Sequence, residues 1–241
     1  MPRQPSTGIG AELATVMFVI GWMLVLVGAA MVIPAAADFG SGHENWQAFI
    51  GSGVFTLFFG VLMVLGLWRP GVQLHFRGVF LLTSLTWVAL CAFAALPLHL
   101  GHLRLSITDA LFEAMSGLTT TGATVIIGLD QAPHGVLLWR AMLNFLGGAG
   151  IIVMAIVLLP FLRVVGMQLF RSESSDRTEK LFPSTISMIS RILGIYLFML
   201  LTCTVALSAA GVPLFDAVCH AMSGVATAGF STKDLSVGGL A

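Results

Sequence analysis

Charge is the scarcest property of this sequence. Of its 241 residues, 11 are lysine or arginine and 11 are aspartate or glutamate, so charged residues make up 9% and the formal net charge is zero. Soluble domains carry about 25% charged residues, and the difference excludes an ordinary soluble protein. Because a neutral chain offers no bulk basic surface, we expect no nucleic-acid partner.

Cysteine is also rare. Cys91, Cys203 and Cys219 stand in apolar stretches without a Cys-x-x-Cys spacing, which argues against a disulfide framework and a zinc site. We expect all three to be small packing residues. His99 and His102 have a His-x-x-His spacing, but without a third ligand a metal site is not expected there.

More than half of the residues are apolar. Hydrophobic residues make up 57% of the chain, and five apolar stretches reach the length of about 20 residues that a spanning helix needs. These stretches are 13–37, 46–68, 78–98, 141–162 and 192–215. Uniform runs of this length predict helices rather than barrel strands. The expected fold class is therefore an all-α integral membrane protein.

The first two stretches predict an N-terminal helical hairpin joined by an acidic loop, 38–44. Arg3 before an apolar run and the alanines at 35–37 resemble a secretory signal. The run is longer than the 7 to 15 residues, roughly, of a signal's apolar region, so an uncleaved helix is favoured over a cleaved signal.

Basic residues orient the predicted bundle. With a cytoplasmic N-terminus, the inner segments hold eight lysines and arginines and the outer segments three, which satisfies the positive-inside rule. The inner residues are Arg3, Arg69, Arg77, Arg163, Arg171, Arg177, Lys180 and Arg191, and the outer ones Arg104, Arg140 and Lys233. We expect a multi-pass membrane protein in that orientation.

One segment of sixteen residues occurs twice. Residues 109–124 return as 216–231, an offset of 107, with eight identities and no gap. Both copies fall on the predicted outer side, so each must enter and leave the membrane by that face. Such a duplication indicates a repeated structural unit.

Each copy predicts a short helix that stops at mid-membrane. The first, 107–115, begins with the hydroxyl and acid signals of Ser106 and Asp109, and the second begins after Pro213. Gly117 and Gly224 are expected to end them. A dozen residues rise about 18 Å, so the negative end of each helix dipole would face a cation inside the membrane.

A Thr-x-Gly-x sequence follows each short helix. Thr120, Thr121, Gly122 and Ala123 form the first, and Thr227, Ala228, Gly229 and Phe230 the second. Glycine would let the backbone turn successive carbonyls toward an ion, as in potassium filters. The alternative is that these small residues only allow close helix packing.

The residues that carry these patterns resemble the Trk/Ktr/HKT superfamily, and within it the TrkH/TrkG type of potassium uptake protein. The resemblance rests on the segments 116–124, 128–130, 139–140, 147–152, 166–170 and 215–232, and the extra N-terminal hairpin fits the same type. It implies a filter of four loops, a homodimer and a TrkA-type cytosolic nucleotide-binding regulatory subunit.

Carried onto this sequence, the resemblance implies that potassium binds at Thr120, Thr121, Gly122, Thr227, Ala228 and Gly229. It implies no organic cofactor and no enzyme activity. The sequence departs from the family by stopping at Ala241, after two of the four expected repeats. We therefore expect the N-terminal half of a larger unit, either a fragment or a chain completed by another.

The expected domains are a two-helix hairpin at 1–77, a first pore repeat at 78–165, and a linker with an incomplete second repeat at 166–241. The polar stretch 163–184 is expected to be a cytoplasmic linker.

Several polar or small residues have two interpretations. Arg140 lies one helical turn from Asn144 and could pair with Asp109, Glu113 or Asp130, or extend to the interface. Glu113 and His220 occupy equivalent repeat positions and could tune the pore's field or make ordinary hydrogen bonds. Gly147, Gly148 and Gly150 favour close helix packing, with flexibility as the alternative.

Two other function classes remain open. A membrane enzyme would need a cluster of His, Asp or Glu, or a Ser-His pair, at membrane depth, and none can be assigned. A non-conducting fragment or accessory membrane subunit is the second alternative to potassium transport.

Overall fold

The computed structural model describes residues 9–67, 76–167 and 185–239. Within these ranges all regular structure is helical, which confirms the expected all-α fold. The helices are α1 Ile9–Ala30, α2 Val32–Gly40, α3 Trp46–Gly66, α4 Phe76–Ala94, α5 Leu96–Leu100, α6 Ile107–Leu118, α7 His134–Met167, α8 Thr185–Ala209 and α9 Leu214–Val225, with short 3-10 turns at Leu129–Gln131 and Ser236–Gly239.

Five helical segments are long and apolar enough to cross a membrane, as expected. They are Gly10–Gly40, Trp46–Gly66, Arg77–Leu100, His134–Ala155 and Ser187–Ala209. The fourth begins seven residues before the predicted start at residue 141. The predicted end of the fifth at residue 215 is wrong, because α8 stops at Ala209 and Leu214 already belongs to α9.

The physical cause of that break is a glycine turn. Gly211 has a φ of +95°, Val212 N donates to Leu207 O at 3.1 Å, and Gly211 N donates to Ser208 O at 3.1 Å. These two bonds form a Schellman motif, which closes a helix when the residue after its cap is left-handed. A hydropathy profile does not detect this turn, because the residues around Gly211 are apolar.

Close backbone contact holds the N-terminal hairpin together. A Cβ atom on Gly60 would lie 2.9 Å from Gly21 O, and one on Gly28 would lie 3.1 Å from Gly53 O. The two contacts run in opposite order along α1 and α3, so the helices are antiparallel. Small residues allow such approach where the bilayer provides no hydrophobic drive between helices.

The expected acidic loop at 38–44 is partly wrong. Asp38 belongs to α2 and is fully buried, whereas Glu44 is exposed. The Asp38 carboxylate accepts a hydrogen bond from Asn45 Nδ2 at 2.7 Å and another from the backbone N–H of Gly135 at the start of α7. The hairpin is therefore tied to the first repeat by a buried acid.

Helix α7 lies at the centre of the fold. Every residue from 135 to 144 is buried, and α7 packs against α2, α6, α8 and α9. Trp139 is fully buried, donates from Nε1 to Ala94 O at 3.0 Å, and meets the ring of Phe49 edge-on. Elements of the hairpin and of both repeats thus meet on one helix.

The domain limits at 77/78 and 165/166 stay predictions. The first lies just inside α4 and the second just inside the end of α7. Of the expected linker 163–184, residues 163–167 continue α7, and the remainder lies outside the described residues.

Candidate functional site

The two short helices of the repeat have the same length and position. Helices α6 and α9 each span 12 residues and begin 107 residues apart. Ser106 caps α6 as expected, since its Oγ accepts from Asp109 N at 3.1 Å. Asp109 and Asp216 lie in the first turns of α6 and α9, where the positive end of the helix dipole stabilises a negative charge.

The prediction that Gly117 and Gly224 end these helices is wrong. Both lie inside their helices, which continue for one more residue to Leu118 and Val225. Gly117 serves packing instead, because a Cβ there would lie 2.9 Å from Leu143 Cβ and 3.1 Å from the Phe230 ring.

A threonine ends each helix. Thr120 and Thr227 have φ values of +56° and +54°. Thr120 N donates to Gly117 O and Thr121 N to Ser116 O, both at 3.0 Å. The second repeat has the same bonds from Thr227 and Ala228. These are Schellman motifs with a β-branched residue at the left-handed position, where glycine is usual, and such strain costs on the order of 1 to 3 kcal/mol.

The two Thr-x-Gly segments meet at their glycines. Gly122 has a φ of +75°, and a Cβ on it would collide with the backbone of Gly229. Gly229 itself is outside the left-handed region, and a Cβ there would lie in ordinary contact, 3.6 Å from Gly122 Cα. The expected glycine requirement therefore holds for position 122 and not, on backbone grounds, for position 229.

Both short helices begin at the same end of the bundle. His134, at the start of α7, contacts Phe215 at the start of α9, with ring centroids 4.6 Å apart. Residues just before α6 reach the same end, because His102 N donates to Asn45 Oδ1 at 2.7 Å beside Asp38. The chain enters through α6 and returns to α7 at that end, which confirms the re-entrant shape.

A buried carboxylate supports the first loop from behind. Glu113 is fully buried, and its Oε1 accepts from Thr124 Oγ1 at 2.8 Å while its Oε2 accepts from Val125 N at 3.1 Å. Ser116 Oγ donates to Ala123 O at 2.6 Å. The first loop is thereby fixed to α6 at residues 123 to 125.

Arg140 joins the two loops. Its Nε donates to Glu113 Oε1 at 2.7 Å and its Nη1 to Ser231 O at 2.9 Å, and its guanidinium lies 4.2 Å from the centre of the Phe230 ring. Of the three acids considered for Arg140, Glu113 is the partner. Arg140 is 1% exposed, so it does not extend to the interface.

The second repeat has an equivalent bond to its loop backbone but lacks an acid equivalent to Glu113. Ile126 N donates to Thr124 Oγ1, and at the equivalent place Lys233 N donates to Ser231 Oγ. His220 stands where the first repeat has Glu113, and its Nε2 lies 3.2 Å from Thr232 Oγ1.

Asn144 supplies a support that the first repeat lacks. Its Nδ2 donates to Ser223 Oγ at 3.1 Å, from the same face of α7 as Arg140. Helix α7 therefore contacts α9 through Asn144 and the second loop through Arg140.

An outer set of contacts adds a second connection between the repeats. Asp234 Oδ1 accepts from the backbone N–H groups of Gly128 and Leu129 at 3.1 and 3.0 Å. Lys233 Nζ lies 3.7 Å from Asp130 Oδ1 in a pair that is partly open to solvent. Asp234 was not predicted from the sequence, although it closely follows the second Thr-x-Gly segment.

The glycines of α7 serve close packing, as expected, at two of three positions. A Cβ on Gly147 would collide with Leu118 O, and one on Gly148 would lie 2.5 Å from the Tyr196 hydroxyl. Gly150 has open space around it. Tyr196, which the sequence did not single out, donates to Phe145 O at 3.3 Å and stacks on its ring.

Comparison with known proteins gives this geometry a family. The sequence model of the TrkH family, described as cation transport protein, matches residues 45–239. The chain belongs to the TrkH family. It is 41% identical over 230 residues to the Trk system potassium uptake protein TrkH of Halomonas elongata, covering 94% of this chain and 48% of that relative.

Two further similarities agree. The chain is 41% identical over 174 residues to the Trk system potassium uptake protein TrkG of Escherichia coli K12, covering 70% of this chain and 36% of the relative. The crystal structure of the potassium transporter TrkH from Vibrio parahaemolyticus superposes with a TM-score of 0.82 at 33% identity, covering 94% and 46% of the two chains. This chain spans about half the length of the TrkH relative and structure it matches.

The buried pair yields a prediction about stability. We expect Glu113→Gln and Arg140→Met each to lower the free energy of unfolding by about 3 to 5 kcal/mol, because each leaves a buried charge unpaired. The double variant should lose less than the sum, since it removes both charges. Chemical unfolding of the purified protein in detergent, arranged as a double-mutant cycle, measures the coupling.

The matched control is the pair of Lys233 and Asp130, which is partly open to solvent. Asp130→Asn and Lys233→Met should each change stability by less than about 1 kcal/mol, because solvent screens that pair. Additive losses at Glu113 and Arg140 would contradict the assignment of a coupled buried pair.

Proposed function

We propose that this chain forms part of the translocation pathway of a potassium uptake protein and supplies two of the four loops of its filter. Two equivalent re-entrant loops, each at the C-terminus of a short helix, approach each other at Gly122 and Gly229, and this approach supports the proposal. The relatives' names and the potassium transporter structure support potassium as the transported ion.

The proposed ligands are backbone carbonyls of Thr120, Thr121, Gly122, Thr227, Ala228 and Gly229. Irregular backbone at membrane depth is stable only where it is buried in protein or lines a wet cavity, and a ring of carbonyls can replace a potassium ion's water shell. The negative ends of α6 and α9 point into the same region and favour a cation. This function needs no catalytic group and no organic cofactor.

The remainder of the assembly is part of the proposal. Two loops cannot surround an ion, so the ring is completed by residues outside these 241, in a longer product or in another chain. We include a homodimer and a TrkA-type cytosolic nucleotide-binding subunit as the expected partners. The competing function, a non-conducting accessory subunit, predicts that changes at the loops leave transport unaffected.

The chain is a multi-pass membrane protein, and we propose the bacterial inner membrane with a cytoplasmic N-terminus. The excess of basic residues in the inner segments supports that orientation. It places the common starting end of α6, α7 and α9 on the extracytoplasmic side.

A glycine comparison tests the filter. In the complete transporter, Gly122→Ser should lower the preference for potassium over sodium, because a forced left-handed side chain costs on the order of 1 to 3 kcal/mol and meets Gly229. Gly229→Ser should have a smaller effect in the same direction. Ion competition in flux assays on reconstituted protein measures the preference.

Ala149→Ser on α7 is the control and should leave the preference unchanged. Equal preference in wild type and both glycine variants, at normal protein amounts, would exclude these loops as the filter and favour the accessory subunit.

Cysteine labelling tests the orientation. A single cysteine at Ser106 or Lys233 should react with an impermeant thiol reagent added to intact cells, and one at Arg171 should react only after the membrane is opened. If only the Arg171→Cys variant were labelled in intact cells, the orientation would be the opposite of the one proposed.

A further inference from the structure

A buried acid outside the loops has no place in the proposed ion pathway. Asp38 of α2 is fully buried, and its carboxylate is held by Asn45 Nδ2 and by the N–H of Gly135. Asn45 Oδ1 in turn accepts from His102 N at 2.7 Å. Burying a carboxylate is unfavourable unless hydrogen bonds compensate it, so this cluster indicates a position that the fold must hold.

Two glycines leave room for the cluster. A Cβ on Gly135 would collide with the Asp38 carboxylate, and one on Gly101 would lie 2.6 Å from Asn45 Oδ1. Gly135 lies in the first turn of α7, whose N–H groups lack partners within the helix. The positive end of the helix dipole also stabilises a carboxylate at this position.

The same helix carries the side chains that hold the loops. Arg140 follows Gly135 by five residues, about 7.5 Å along a rigid helix, and Asn144 lies one turn further. Between Gly135 and Arg140, Trp139 donates a hydrogen bond to Ala94 O and contacts Phe49 of α3. A shift of the start of α7 therefore moves the groups that contact Glu113, Ser223 and Ser231.

We propose that Asp38 and Asn45 are positioning residues for ion selection: the N-terminal hairpin fixes the start of α7, and α7 fixes the spacing of the two loops through Arg140 and Asn144. This inference rests on the proposed function, since it assigns the hairpin a part in selectivity. Asp38 itself stays remote from the ion.

The chain offers a swap that separates this role from simple stability. In Asp38→Asn, the new amide faces the Asn45 amide donor, and one hydrogen bond is lost. In the double variant Asp38→Asn with Asn45→Asp, residue 38 donates to residue 45, residue 45 accepts from His102 N, and residue 38 still accepts from Gly135 N. Glu44→Gln removes an exposed acid one position from Asn45 and serves as the matched control.

The experiment has two readouts. Potassium and sodium competition against rubidium flux in the reconstituted complete transporter measures selectivity. Labelling of Cys219 with N-ethylmaleimide, after every other cysteine of the transporter, including Cys91 and Cys203, is replaced by serine, measures loosening of the core that Cys219 shares with Val136 and Trp139.

We expect Asp38→Asn to reduce the potassium preference about threefold to tenfold, the size of effect known for coupled residues that do not contact a ligand. It should also speed Cys219 labelling. The swap should restore both values, and Glu44→Gln should change neither. Wild-type preference in a folded Asp38→Asn protein, or a swap that folds but does not restore the preference, would overturn the proposal.

Should Asp38→Asn fail to fold, Asn45→Ser decides, with a smaller loss of preference expected and no loss overturning the proposal. Absence of any potassium preference in the wild-type transporter would refute the proposed function and this role in selectivity. Cys219 labelling would then still report whether the hairpin holds α7.

Discussion

The ion pair between Glu113 and Arg140 is the interaction on which the candidate site depends. Both side chains are removed from water, so neither charge is tolerable without the other. Glu113 holds the first loop through Thr124 and Val125, and Arg140 holds the second through Ser231 O. The ion pair thereby links the support of the first loop to the backbone of the second.

The repeat conserves its backbone and varies its side chains. Both copies end a 12-residue helix with a left-handed threonine and the same pair of bonds. Behind the loops, however, an acid in the first copy corresponds to a histidine in the second, and Ser116 and Ser223 have different partners. Both repeats contact the same helix, α7, although the two loops differ at their glycines, since Gly122 is left-handed and Gly229 is not.

The all-α fold and the two re-entrant segments can be predicted from the sequence, because neither depends on contacts between distant residues. Long uncharged runs specify spanning helices, and the 107-residue duplication locates both loops. The short break before Pro213 was missed because apolar neighbours conceal Gly211 in a hydropathy profile. Glycine preference likewise misplaced the helix ends, where threonine occupies the strained position.

The contacts that join distant segments were harder to predict. Asp38 looked like a loop acid because its charge lies at the edge of an apolar run, yet tertiary packing buries it against α7. Arg140 had three acids within plausible reach, and only the folded arrangement selects Glu113. Asp234 caps a turn 106 residues away, a relationship that no spacing in the sequence expresses.

The location of a bound ion would show whether the two loops together coordinate a cation. A structure of the complete transporter grown with thallium or rubidium in place of potassium would show the ion by its anomalous scattering. We predict anomalous density between the carbonyls of residues 120–122 and those of residues 227–229. Density confined to another part of the protein, with none between these loops, would contradict it.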